Sequence, residues 1–93
     1  MSYVHVSRSP RTGLAEYEKI RRELGPTPNA GQRSHHVGLV DGALVIVDVW
    51  DSRTDADRFA AERLFPAFER AGVRMDASVD ITAFEPITPG TPS

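Results

Sequence analysis

Apolar residues are densest between Ser34 and Trp50, in SHHVGLVDGALVIVDVW, and the pattern there is of two strands around Asp41-Gly42. That dipeptide is favoured where a two-residue hairpin turn needs positive φ at both central positions. The turn predicts the register: Val40 faces Ala43, Leu39 faces Leu44, Gly38 faces Val45, Val37 faces Ile46, His36 faces Val47 and His35 faces Asp48. Side chains alternate between faces along a strand. One face therefore takes His36, Gly38, Val40, Ala43, Val45, Val47 and Val49, and the other takes His35, Val37, Leu39, Leu44, Ile46, Asp48 and Trp50. Both are mainly apolar, whereas an antiparallel sheet with one wet face alternates apolar and polar. A cover on each side is expected, one from the chain's own helices and one from a second copy of the chain.

Around the hairpin the periodicity changes to that of helices. Tyr3–Ser7, with Val4 and Val6, reads as a first strand, followed by a loop from Arg8 to Gly13. Thr12 is the expected N-cap of a helix over Gly13–Leu24, whose stripe is Leu14, Tyr17, Ile20 or Arg21, and Leu24. Gly25-Pro26 stops it, and a polar connection runs to Gln32. After Trp50, either Ser52 with Asp55 or Thr54 with Asp57 starts a second helix, which presents Phe59, Ala60 and Leu64. Pro66 either kinks it or opens a further short helix ending at Gly72. Val79–Phe84 is the last strand, and residues 87–93 form a Pro-rich tail after a single domain over 1–86. Strand, helix, strand, strand, helix, strand is the ferredoxin-like α+β plan, an antiparallel sheet with helices on one face.

Composition narrows the function classes. A chain of 93 residues has room for one core, and covering the second sheet face by dimerisation would add to a modest buried area. The net charge of −2 gives no case for a nucleic-acid footprint, a local basic patch aside. An RNA-recognition module shares the topology but needs exposed aromatic and basic residues on its central strands, and ALVIVDVW has neither before its terminal Trp. The absence of Cys excludes disulfides, thiolate metal sites and cysteine nucleophiles. No signal-like or membrane-spanning apolar run occurs, so a soluble cytoplasmic protein without membrane contact is the expectation.

The segment VDGALVIVDVWDSRTDADRFAAERLFPAFERAGV resembles the central motif of the ABM-like (antibiotic biosynthesis monooxygenase-like) dimeric α+β barrel proteins. The features that carry the resemblance are His36, Gly42, Asp48-Val49-Trp50-Asp51-Ser52, Phe59 and Pro66. It implies a homodimer with a pocket in each subunit, and a small aromatic or polyketide-like ligand. The implied activities are cofactor-free oxygenation or related tailoring such as cyclisation, with non-catalytic ligand binding as the alternative. Quinone-forming members place an Asn and a Tyr around the equivalent of Trp50; Ile46 and Ala56 stand there, a departure from that mechanism. Haem-degrading members use an axial His, and no predicted helix contains one.

The candidate catalytic residues are His36, His35 and Asp48. In the predicted register Asp48 can accept from one nitrogen of His35, which fixes the tautomer and raises the basicity of the other nitrogen. His36 points to the opposite face, beside the space left by Gly38. Adjacent histidines on a strand diverge, so they cannot jointly bind one metal, and no metal or other cofactor is expected. Trp50, Tyr17, Phe59 and Phe65 are the candidate substrate-binding residues; packing is the alternative role for each.

Overall fold

Asp41 and Gly42 have φ of 49° and 80°, so both central positions of the turn are left-handed, as the sequence predicts. The structure, a computed structural model, describes residues 2–87. Its elements are β1 (Tyr3–Ser9), α1 (Leu14–Leu24), β2 (Gln32–Val40), β3 (Ala43–Trp50), α2 (Arg53–Phe59), α3 (Phe65–Ala71) and β4 (Asp80–Phe84). The four strands form one antiparallel sheet in the order β2-β3-β1-β4, the ferredoxin-like arrangement. Every β2–β3 pair predicted from the turn is present, from Val40–Ala43 to His35–Asp48. The register slips between Gln32 and Ser34, at the far end of β2.

Caps settle where α1 and α2 begin. Gly13, not Thr12, precedes α1, and its N–H donates to the Glu16 carboxylate at 3.2 Å. Ser52 caps α2, its hydroxyl oxygen accepting from the Asp55 N–H at 3.2 Å, so the first of the two sequence options is the one used. At Pro66 the second sequence option holds: a further short helix runs to Ala71 with Gly72 as its left-handed cap, joined to α2 through an irregular turn. Ala60–Leu64 forms a π-helical turn in which the Phe65 N–H reaches back to the Ala60 carbonyl, and α3 then starts with Pro66 in its first turn. Proline lacks an N–H and its ring clashes with the carbonyl four residues earlier; one widened turn moves that carbonyl aside.

The helices cover one side of the sheet. Ile20 of α1, Leu44 and Trp50 of β3, Ala56 of α2 and Ala67 of α3 are buried there. Full burial of a residue such as Ile20 or Leu44 contributes roughly 1.5–3 kcal/mol. The phenylalanines of the helical layer behave differently: Phe59 and Phe68 are half-buried and Phe65 is 46 % exposed. They line a space between sheet and helices instead of filling it. On the other side of the sheet, alternation places Val4, Val6, His36, Val40, Val45, Val47, Val49 and Phe84. Val40 and Phe84 are exposed, and nothing comes near the position a Gly38 side chain would occupy. The part of the expected tail after Ile87 lies outside the described residues. No helix of the described residues is long and apolar enough to cross a membrane.

Candidate functional site

The space between sheet and helices is a cavity of about 350 Å³, within the range of small-molecule sites. Trp50, Phe59, Leu64, Phe65, Phe68 and Ile81 form its apolar wall. Trp50 is 2 % exposed and its ring packs on Phe59 at a centroid distance of 5.1 Å and a tilt of 38°, so these two make a fixed aromatic surface. Polar groups converge at one part of the lining: Tyr17, Gln32, His35 and Asp48, with His5 and Ser7 beside them.

Three of these residues are joined in sequence. Asp48 Oδ1 accepts from His35 Nδ1 across the hairpin. An ionised carboxylate can only accept, so Nδ1 carries the proton, and in the neutral form of the ring Nε2 has a free lone pair. The Tyr17 hydroxyl, reaching over from α1, lies 2.8 Å from that Nε2 and donates to it when the ring is neutral. The two rings are stacked with centroids 6.2 Å apart. The Asp48 side chain is 13 % exposed and that of His35 39 %, so the charge sits inside and the imidazole faces the cavity. Burial raises the Tyr17 phenol above its ordinary value, with Arg21 opposing that shift; the group stays a hydroxyl donor through neutral pH.

His36 is not among the residues lining the cavity; it is exposed on the opposite face of the sheet, because β2 alternates. The two histidines are therefore separated, and the geometry gives His35 the cavity. Tyr17, Trp50, Phe59 and Phe65 all line it, as their proposed ligand contacts require. His5 was legible only in part. Its alternation in β1 opposes it to Val4 and Val6, but its position directly across from Asp48 depends on the β1–β3 pairing. Gln32, Asn29 and Arg63 were not singled out at all, since their contacts are made by a loop and an irregular helical turn. Among the described residues no cluster of three or more His, Asp or Glu is placed to hold a metal ion.

Three connections bound the cavity. The Arg11 N–H donates to Asp76 Oδ2 at 2.7 Å, linking the β1–α1 and α3–β4 connections. The Ser78 hydroxyl first, and then the backbone amides of Arg11 and Ser78, hold the Asp76 carboxyl below the usual carboxylate range. On the other side Arg63 fastens the α1–β2 connection, donating to the Leu24 carbonyl at 2.6 Å and the Thr27 carbonyl at 3.1 Å.

No family model matches the chain, and no curated protein matches it in sequence. Solved structures do resemble it. An antibiotic biosynthesis monooxygenase candidate from Chloroflexus aurantiacus superimposes with a TM-score of 0.71 at 17% identity, over 98% of this chain and 98% of that one. The monooxygenase of gene ActVA-Orf6 of Streptomyces coelicolor, solved with nanaomycin D, gives a TM-score of 0.67 at 18% identity, over 99% and 93%. SnoaB, a cofactor-independent oxygenase from Streptomyces nogalater, gives 0.65 at 18% identity, over 96% of each chain. The chain therefore has the ABM-like, ferredoxin-like α+β fold over essentially its whole length.

Proposed function

We propose that this ABM-like chain is a cofactor-independent monooxygenase, or a related tailoring enzyme, that acts as a homodimer on an aromatic or polyketide-like molecule. The observation that carries the reading is the Asp48–His35–Tyr17 array at the polar side of an otherwise apolar cavity. A phenolic or enolic hydroxyl seated there donates to the Tyr17 oxygen while Tyr17 passes its own proton to His35 Nε2. The substrate O–H bond breaks, an N–H bond forms, Tyr17 is neutral before and after, and Asp48 stabilises the imidazolium. Trp50 and Phe59 hold the ring system flat against the wall. The electron-rich anion then reacts with dioxygen at carbon. A methylene becomes a carbonyl: one oxygen atom bonds to that carbon and the other leaves as water with the two methylene hydrogens.

A specific feature also supports non-catalytic binding. The Tyr17 hydroxyl already satisfies His35 Nε2, so the array is complete as a structural hydrogen-bond network. One experiment separates the readings. The protein is incubated with a panel of polycyclic phenols, and binding and dioxygen uptake are followed together. Uptake that disappears in His35→Gln is the expected result. Binding without uptake or conversion would favour the accessory role, and ring closure without uptake would favour a cyclase.

A further inference from the structure

Arg63 lies in the π turn, outside the Asp48–His35–Tyr17 array, yet side-chain hydrogen bonds connect the two without a gap. Its guanidinium donates to Asn29 Oδ1. Asn29 Nδ2 donates to Gln32 Oε1 at 2.9 Å, and Gln32 Nε2 donates to Asp48 Oδ1 at 3.2 Å, the same oxygen that accepts from His35. An amide side chain alone can sit either way round, but this chain is fixed at both ends. Arginine can only donate and a carboxylate can only accept, so two amides strung between them have a single orientation that makes every bond. Turning either one sets oxygen against oxygen or nitrogen against N–H.

We propose that Arg63, Asn29 and Gln32 are positioning residues that keep His35 a neutral base by sharing the charge of Asp48. The proposal rests on the reading of His35 as the base. A carboxylate whose one partner is an imidazole stabilises the imidazolium strongly, and a ring that is already protonated cannot accept a proton. The Gln32 N–H takes part of that negative charge, and the aligned Asn29 amide and Arg63 cation polarise the N–H further. The same bonds hold the Asp48 oxygen toward His35 Nδ1. Other groups around the array are His5 on β1 opposite Asp48, and Glu18 and Arg21 beside Tyr17 on α1. None of these is altered by cutting the relay. Arg63 also holds the Leu24, Thr27 and Pro28 carbonyls, so the loop bounding the cavity and the relay are anchored on one guanidinium.

The test uses the full chain without substrate. Nitrogen NMR of His35 gives the ratio of imidazolium to neutral ring at a fixed pH near neutrality, in native protein, Gln32→Leu and Asn29→Leu. Gln32→Leu should raise that ratio roughly tenfold or more, the effect of losing a charge-assisted hydrogen bond of ordinary strength. Asn29→Leu cuts the relay one bond earlier and should move the ratio the same way by less. Asn29 lies in a connection outside the sheet, so this variant tests the chain even where Gln32→Leu loses the fold. An unchanged ratio in Gln32→Leu, or a change there with none in Asn29→Leu, overturns the relay. Because no turnover is read, a failed dioxygen assay bears on the base reading, whereas an unchanged ring bears on the relay.

Discussion

Asp48 on β3 and His35 on β2 stand directly opposite each other across the hairpin, and the buried carboxylate accepts the Nδ1–H of the cavity-facing imidazole. The pairing follows from the Asp41-Gly42 turn, because a tight turn fixes which residues meet along both strands. A shift of one residue would put His36, not His35, on the cavity face.

That relationship gives the first prediction. His35→Gln should lower turnover of a cognate phenol by about 10²–10⁴-fold, the usual contribution of general-base catalysis, with ligand affinity little changed. His36→Gln, on the far face, should leave turnover near native. Steady-state dioxygen uptake on both variants checks the pair, and equal losses would mean that His35 is not the base.

Much of this was legible in the sequence for a physical reason. Turn chemistry and two-residue alternation are local, so the register, the two sheet faces and the His35–Asp48 contact could be read from seventeen consecutive residues. The Ser52 cap and the short helix opened at Pro66 were local too, although the π turn that joins it to α2 was not foreseen. The position of Tyr17 was not local. Its helical stripe predicted packing, and its hydroxyl meets His35 Nε2 only because α1 and β2 line the same cavity. The relay through Asn29 and Gln32 starts from Arg63, whose bond to Asn29 spans 34 positions, and no short-range pattern marks it.

The Tyr17 phenol supplies a pH dependence. Burial raises it above the ordinary value of 10.0, so the folded state disfavours the phenolate that the unfolded chain forms freely. The associated stability is fully present below pH 10 and is lost as pH rises through the folded-state value. Unfolding free energy measured between pH 9 and pH 11, roughly spanning the tyrosine range, should fall more steeply in native protein than in Tyr17→Phe. Identical slopes would show that Tyr17 is as well solvated folded as unfolded.

Two glycines with similar backbone angles should respond unequally. Gly42 has φ 80° with open space around it, so Gly42→Ala should cost about 1–2 kcal/mol from the left-handed conformation alone. Gly31 has φ 81°, and a methyl there would overlap the Asp55 side chain, which accepts from the Ser52 hydroxyl at the start of α2. Gly31→Ala should therefore lose the same amount plus about 1 kcal/mol for the disturbed cap. Urea unfolding of both variants ranks them; equal losses would mean that Asp55 moves aside freely.

The face of the sheet away from the helices supports the proposed homodimer. Val4 and Val6 of β1 lie beside Val49 and Val47 of β3, with Val45, Val40 and Phe84 extending the apolar surface. Contiguous apolar surface on this scale marks an interaction site in a soluble chain. Val47 sits between Val6 and His36 on the central strand, so a carboxylate there would have to be desolvated at the middle of a face-to-face dimer. Val47→Glu should give a monomer with native circular dichroism, whereas the native chain should scatter light as a dimer at micromolar concentration. The same side chain is far from the cavity, so ligand binding by the monomer should persist wherever each cavity is complete within one chain. A native chain that is monomeric at those concentrations would remove the dimer and leave two apolar faces on one sheet with a single cover.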